Sequence, residues 1–60
     1  MDYKHKIGDT VNIQKTISGK AEIVNRWQPE TKEVNLYQLK VLDGDYQGKL
    51  LWFAEHEITQ

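Results

Sequence analysis

Two histidines and two closely spaced carboxylates are the residues of this 60-residue chain with the clearest capacity for chemistry. His5 lies near the start, and His56 sits between Glu55 and Glu57 near the end. A metal centre needs several such ligands to converge. A fold that brings the two ends together could cluster His5, His56 and Glu55. The simpler reading is adopted: two exposed histidines and no metal. Glu55 and Glu57 could also serve as an acid–base couple. Yet no nucleophile stands beside a base, and no glycine-rich phosphate loop follows a strand. Glu55 is read instead as capping or solvating a short helical turn. No catalytic residue and no cofactor are expected, and the chain is read as a non-enzyme.

A second constellation is basic and aromatic. Lys4, Lys6, Lys15, Lys20 and Lys49 could line one edge of a sheet, with Arg26, Trp27 and Tyr37 as stacking surfaces. A basic groove with aromatic platforms is how single-stranded nucleic acid is held. The charge balance weighs against it. Eight Lys and Arg face nine Asp and Glu, a net charge of -1. That excludes a strongly basic coat protein. It also limits the number of phosphates the chain could neutralise. Nucleic acid is therefore the second reading, through Lys15, Lys20, Arg26 and Trp27.

The absence of cysteine removes disulfides and thiolate metal sites. No apolar run approaches the ~20 residues that span a bilayer, so no membrane partner is expected. The polar start, Met1 to Lys6, is read as no secretory leader. A cytoplasmic location is expected.

The elements that must position these residues are strands. Val11 and Ile13 alternate with Thr10, Asn12 and Gln14, which predicts a half-buried strand over about 10–15. Gly8-Asp9 before it reads as a turn, as does Ser18-Gly19 after it. Ala21, Ile23, Asn25 and Trp27 then form a mostly apolar odd face of a second strand. Pro29 ends that strand, because it cannot donate to a ladder, and 28–33 reads as a polar hairpin loop. In the third strand Tyr37, Leu39 and Val41 face one way, and Leu36, Gln38, Lys40 and Leu42 the other. Asp43-Gly44 predicts a type I′ turn, prolonged by residues 45–48. The fourth strand, Lys49 to Phe53, is apolar on both parities. One pair, Leu50 with Trp52 or Leu51 with Phe53, must be core. The other is sheltered or left for a partner. Residues 54–57 fit one 3-10 turn, and Ile58-Thr59 a terminal strand. Ile7, Val11, Ile13, Ala21, Ile23, Leu39, Val41, Leu51 and Ile58 are the expected core, with the six aromatics supplying much of the burial.

Five short strands, tight turns and a late one-turn helix predict one small, strongly bent antiparallel barrel. Ile7-Gly8-Asp9-Thr10-Val11, Gly19-Lys20-Ala21-Glu22-Ile23-Val24, Tyr37-Gln38-Leu39-Lys40-Val41 and Trp52-Phe53-Ala54-Glu55-His56-Glu57-Ile58 together resemble an SH3-like barrel, as a single domain over 1–60. The ending is similar to those of uncharacterised small phage and prophage proteins of Gram-positive bacteria. A weaker resemblance runs to KOW-type modules of translation and transcription factors, which implies nucleic-acid binding. Another runs to plasmid-encoded type II dihydrofolate reductases. That family carries Val-Gln-Ile-Tyr where this chain has Leu50-Leu51-Trp52-Phe53. The glutamine and tyrosine groups that would hold folate and nicotinamide are missing, so that activity is not expected.

A barrel this small has little room for a pocket of ~300 Å³ within one copy. Function should therefore lie on the outer surface or between copies. The leading expectation is a small binding module for a protein, a phage modulator of a host protein or a self-associating chain. Trp27, Tyr37, Tyr46 and Trp52 are its anchors, since exposed aromatics are typical of interfaces.

Overall fold

The computed structural model describes residues 3–14, 18–30 and 34–59. The chain is all-β. Strands β1 (Thr10–Gln14), β2 (Ser18–Trp27), β3 (Leu36–Val41), β4 (Leu50–Ala54) and β5 (Ile58–Thr59) form one antiparallel sheet in the order β4-β3-β2-β1-β5. A 3-10 turn at Glu55–Glu57 precedes β5, as the sequence predicts. Lys15, expected at the end of β1, lies outside the described residues.

That three-residue turn joins the two outermost strands of the sheet. Five flat strands would set those edges about 19 Å apart. The chain from Ala54 to Ile58 can span at most about 14 Å. The sheet must therefore curl. Among the described residues the pairings do not include a ladder between β4 and β5.

The concave face holds the core. Val11, Ile13, Ala21, Ile23, Tyr37, Leu39, Val41 and Ile58 are buried, with Tyr3, Leu51 and Phe53 packed against them. Each fully buried aliphatic side chain contributes roughly 1.5–3 kcal/mol. Two expectations are corrected here. Ile7 is not core but 57% exposed. It sits at the corner of a turn closed by Asp9 N–H to Lys6 O (3.0 Å), so the parity of β1 does not reach back to it. Nor do six aromatics line the core. Tyr37 alone is fully buried, while Trp27, Tyr46 and Trp52 are exposed.

The hairpin between β3 and β4 also departs from expectation. The chain does not reverse at Asp43-Gly44 in a two-residue turn. Two turns follow one another, closed by Gln47 N–H to Gly44 O and Lys49 N–H to Tyr46 O. Gly48 and Lys49 then both face Val41, whose O accepts from Gly48 N–H (2.8 Å) and whose N–H donates to Lys49 O (3.0 Å). This is a bulge that needs positive φ at its first residue, and Gly48 has φ 87°. The Asp43 carboxylate is used elsewhere. It accepts from Lys20 N–H at 3.1 Å, beside Leu42 N–H to Lys20 O at 2.9 Å. The loop is thereby stitched to the start of β2.

Candidate protein-binding face

Register decides which side chains leave the core. β2 opposes β3 with Ile23 on Leu39, but then Asn25 on Gln38, Arg26 on Tyr37 and Trp27 on Leu36. Val24 is the extra residue of a bulge. After it, the inward parity of β2 passes from odd to even residues. The expected odd face of Ala21, Ile23, Asn25 and Trp27 is therefore broken halfway. Ala21 and Ile23 stay inside, and Trp27 turns out.

β4 continues the same face. Tyr37 opposes Phe53, Leu39 opposes Leu51, Gln38 opposes Trp52 and Lys40 opposes Leu50. Leu51 and Phe53 pack on the core, which leaves Leu50 (55% exposed) and Trp52 (47%) on the convex side. One row across β2, β3 and β4 reads Trp27, Leu36, Ala54; the next reads Asn25, Gln38, Trp52. Trp27 (54% exposed) and Trp52 lie two strands across and two residues along from one another, about 12 Å apart, with Leu36 beside Trp27 and Gln38 beside Trp52. The result is a stripe of outward-facing apolar side chains on the convex face, Trp27, Leu36, Trp52 and Leu50, interleaved with Asn25, Gln38 and Lys40.

The other predicted anchors lie elsewhere. Tyr46, 45% exposed, is in the loop beyond the Val41 end of β3, opposite to the Trp27 end. Tyr37 is fully buried, so it offers no contact surface: its ring fills the core and its hydroxyl is bonded inside.

Of the residues considered for nucleic acid, Lys20 is exposed on β2, and Lys15 lies outside the described residues. Arg26 is drawn inward. Its Nη1 donates to His5 O at 3.2 Å, and the guanidinium lies 4.4 Å from the centre of the Tyr3 ring.

The histidines and glutamates do not form a metal cluster. Among the described residues no group of three or more potential ligands meets. His5 is buried, contrary to expectation, edge-on to Tyr37 with ring centres 5.2 Å apart. Glu55 does not cap the turn that it begins; Glu57 does, with Oε1 accepting from Ala54 N–H at 2.8 Å. Glu55 points back under the sheet. Its Oε2 accepts from the Tyr37 hydroxyl (2.5 Å), Asn35 Nδ2 (3.0 Å) and Lys4 N–H (3.1 Å). Asn35 Oδ1 in turn accepts from Gln28 Nε2 at 3.0 Å.

Burial alone would push the Glu55 carboxyl up, but the hydrogen bonds from Tyr37, Asn35 and Lys4 outweigh it and hold it below its ordinary value. Burial, and then the bond to Glu55, push the Tyr37 phenol up to about 12. The cluster fixes residues 3–5 across the end of the sheet. Reasoning from sequence missed Asn35 in this role. The available signal was a polar residue two positions before a buried tyrosine in an otherwise apolar alternation.

No family model, curated protein or solved structure matches this chain. The fold and the face together define a small all-β protein, built on one curled five-stranded sheet, with an exposed tryptophan stripe. Among the described residues no helix is long and apolar enough to cross a membrane.

Proposed function

We propose that the chain is a small non-catalytic module that binds a protein through the convex face of β2, β3 and β4. The observation that carries this reading is the pair of half-exposed tryptophans, Trp27 and Trp52, on one side of the sheet with Leu36 and Leu50. Tryptophan anchors surrounded by less critical contacts are typical of binding hot spots. The bulge at Val24 supports the same reading, because it takes Trp27 out of a strand face that would otherwise bury it. Several large apolar side chains exposed together on one face, with polar residues around them, are a mark of interaction sites.

The likeness of the ending to small phage and prophage proteins supports a host protein as the partner, met in the cytoplasm. Nucleic acid is the competing outcome. It has less support, since Arg26 is committed to His5 and Tyr3.

The test is affinity capture from host lysate with the wild-type chain and with a Trp27→Lys/Trp52→Lys variant, next to a salt series with a labelled oligonucleotide. Proteins retained by the wild type and lost by the variant support the reading. Salt-sensitive oligonucleotide binding without any such protein would replace it with nucleic-acid recognition.

A further inference from the structure

Among the described residues, the outer edge of β4 beside the stripe pairs with no strand. β4 stands at one end of the strand order. Val41 N–H donates to Lys49 O, and Glu55 N–H donates to Asn35 O. Backbone direction alternates along a strand, so Lys49 O, Glu55 N–H and the polar groups of Leu51 and Phe53 between them turn toward β3. Leu50, Trp52 and Ala54 turn theirs to the opposite side. There Ala54 N–H is taken by Glu57 Oε1. Among the described residues no strand pairs with Leu50 and Trp52 on that side.

Natural sheet edges are guarded by a charge, a proline, a bulge or a cover. The strand Leu50-Leu51-Trp52-Phe53-Ala54 has no charge and no proline. Its two open positions are the same two whose side chains are exposed.

We infer that this edge of β4 pairs antiparallel with β4 of a second copy of the chain, with Leu50 opposite the partner's Trp52. The inference rests on the protein-binding reading and names one partner within it. The register follows from the groups available. A two-fold axis at Leu51 matches Leu50 N–H and O with the partner's Trp52 O and N–H, and repeats this symmetrically. Ala54 N–H keeps its bond to Glu57. Gly48, which has no side chain, comes opposite the partner's Ala54, where the Glu57 carboxylate lies.

Charge complementarity favours the same arrangement. The segment runs from Lys49 at one end to Glu57 at the other. Antiparallel pairing sets the basic end of each copy against the acidic end of the other, whereas parallel pairing would set like ends together. On the convex face, Leu–Trp pairs then stand directly across the new ladder. The half-exposed Trp52 offers only about 100 Å². The contact therefore falls below the ~800 Å² per partner of a standard interface, and the dimer is weak and concentration-dependent.

The test is backbone amide exchange and sedimentation of the full chain from dilute solution to on the order of 1 mM. The mass should rise toward the dimer. Exchange at Leu50 and Trp52 should slow by about tenfold once nine-tenths of chains are paired, while Leu51 and Phe53, already bonded to β3, stay unchanged. Leu50→Pro removes an outward N–H without touching the β3 ladder, and Trp52→Lys guards the edge with a charge. Both should remain monomeric where the wild type dimerises, and Trp52→Lys decides if Leu50→Pro fails to fold. A chain that stays monomeric at ~1 mM overturns the pairing. So does a dimer, or a complex with an extended peptide of another protein, that leaves exchange at Leu50 and Trp52 independent of chain concentration. If lysate capture through Trp27 persists in a monomeric chain, only the self-pairing fails. If capture fails as well, the binding-module reading fails with it.

Discussion

The hydroxyl of Tyr37, near the start of β3, donates to Glu55 Oε2 at the start of the 3-10 turn, 2.5 Å away. This one contact ties the end of an inner strand to the corner that connects the two outer strands. The same hydroxyl oxygen accepts from Lys4 N–H (3.1 Å) and His5 N–H (3.3 Å). The segment ahead of β1 is therefore held by the same two residues. In a chain of this size such a polar hub, sealed by Tyr3 and His5 around the Tyr37 ring, does work that a larger protein leaves to its core.

Tyr37→Phe keeps the ring and removes the donor. It leaves a partly buried carboxylate short of a partner, which costs about 1–3 kcal/mol. Urea unfolding should show a lower midpoint with an unchanged slope. The folded phenol is raised from about 10 to about 12, so its contribution is complete below pH 10. That contribution is lost as pH climbs from 10 to about 12. The variant should lack this alkaline decline.

Glu55 governs the acid limb. Its folded carboxyl is held below its ordinary value, so the folded state favours the ionised form. The stabilisation is present above the unfolded value, near pH 4, and disappears as pH falls through the folded one. Thermal midpoints measured from pH 6 to pH 2 should fall steeply in the wild type. Glu55→Gln should start lower and flatten that fall.

Gly19 is required by both its conformation and its neighbour. Its φ is 148°, and an added Cβ would lie 2.7 Å from Asp43 Oδ1. Gly19→Ala must displace the carboxylate that accepts from Lys20 N–H. A loss of about 1–3 kcal/mol is expected, read as a drop in the urea midpoint.

Arg26→Ala removes both the bond to His5 O and the stacking on Tyr3. A loss of about 1–2 kcal/mol is expected. Amide exchange at Lys4 and His5 should quicken, while exchange at Leu39 should follow global stability alone.

Much of this fold was legible in the residues. Period-two alternation in Val11-Ile13 and Tyr37-Leu39-Val41 placed two strands and their buried faces, and Pro29 with the glycines marked the ends. The 3-10 turn followed from a segment too short for an α-helix. Illegible were the features that depend on pairing. The bulge at Val24 leaves no local mark, because Ile23-Val24-Asn25 reads equally well as straight strand. Only its partner Gln38 reveals the extra residue. The alternation therefore groups Trp27 with Ala21 and Ile23, and only the register shows why it is exposed, as an interface anchor must be.

The buried state of Tyr37 was concealed for a similar reason. Its alternation says inward, while its aromatic type suggests an interface anchor, and the group that satisfies its hydroxyl lies 18 positions away. The anomaly at β4 was legible as such. Its resolution, Leu51 and Phe53 in and Leu50 and Trp52 out, needed the register with β3.

The convex stripe should be dispensable for folding and required for binding. Surface changes away from packing usually shift stability by no more than about 0.5 kcal/mol. The most direct measurement is capture by the wild-type chain against the folded Trp27→Lys/Trp52→Lys variant, compared at equal concentration. The account predicts that proteins retained by the wild type are absent from the variant, which still unfolds cooperatively in urea. An identical set of proteins on both, or none on either, contradicts it.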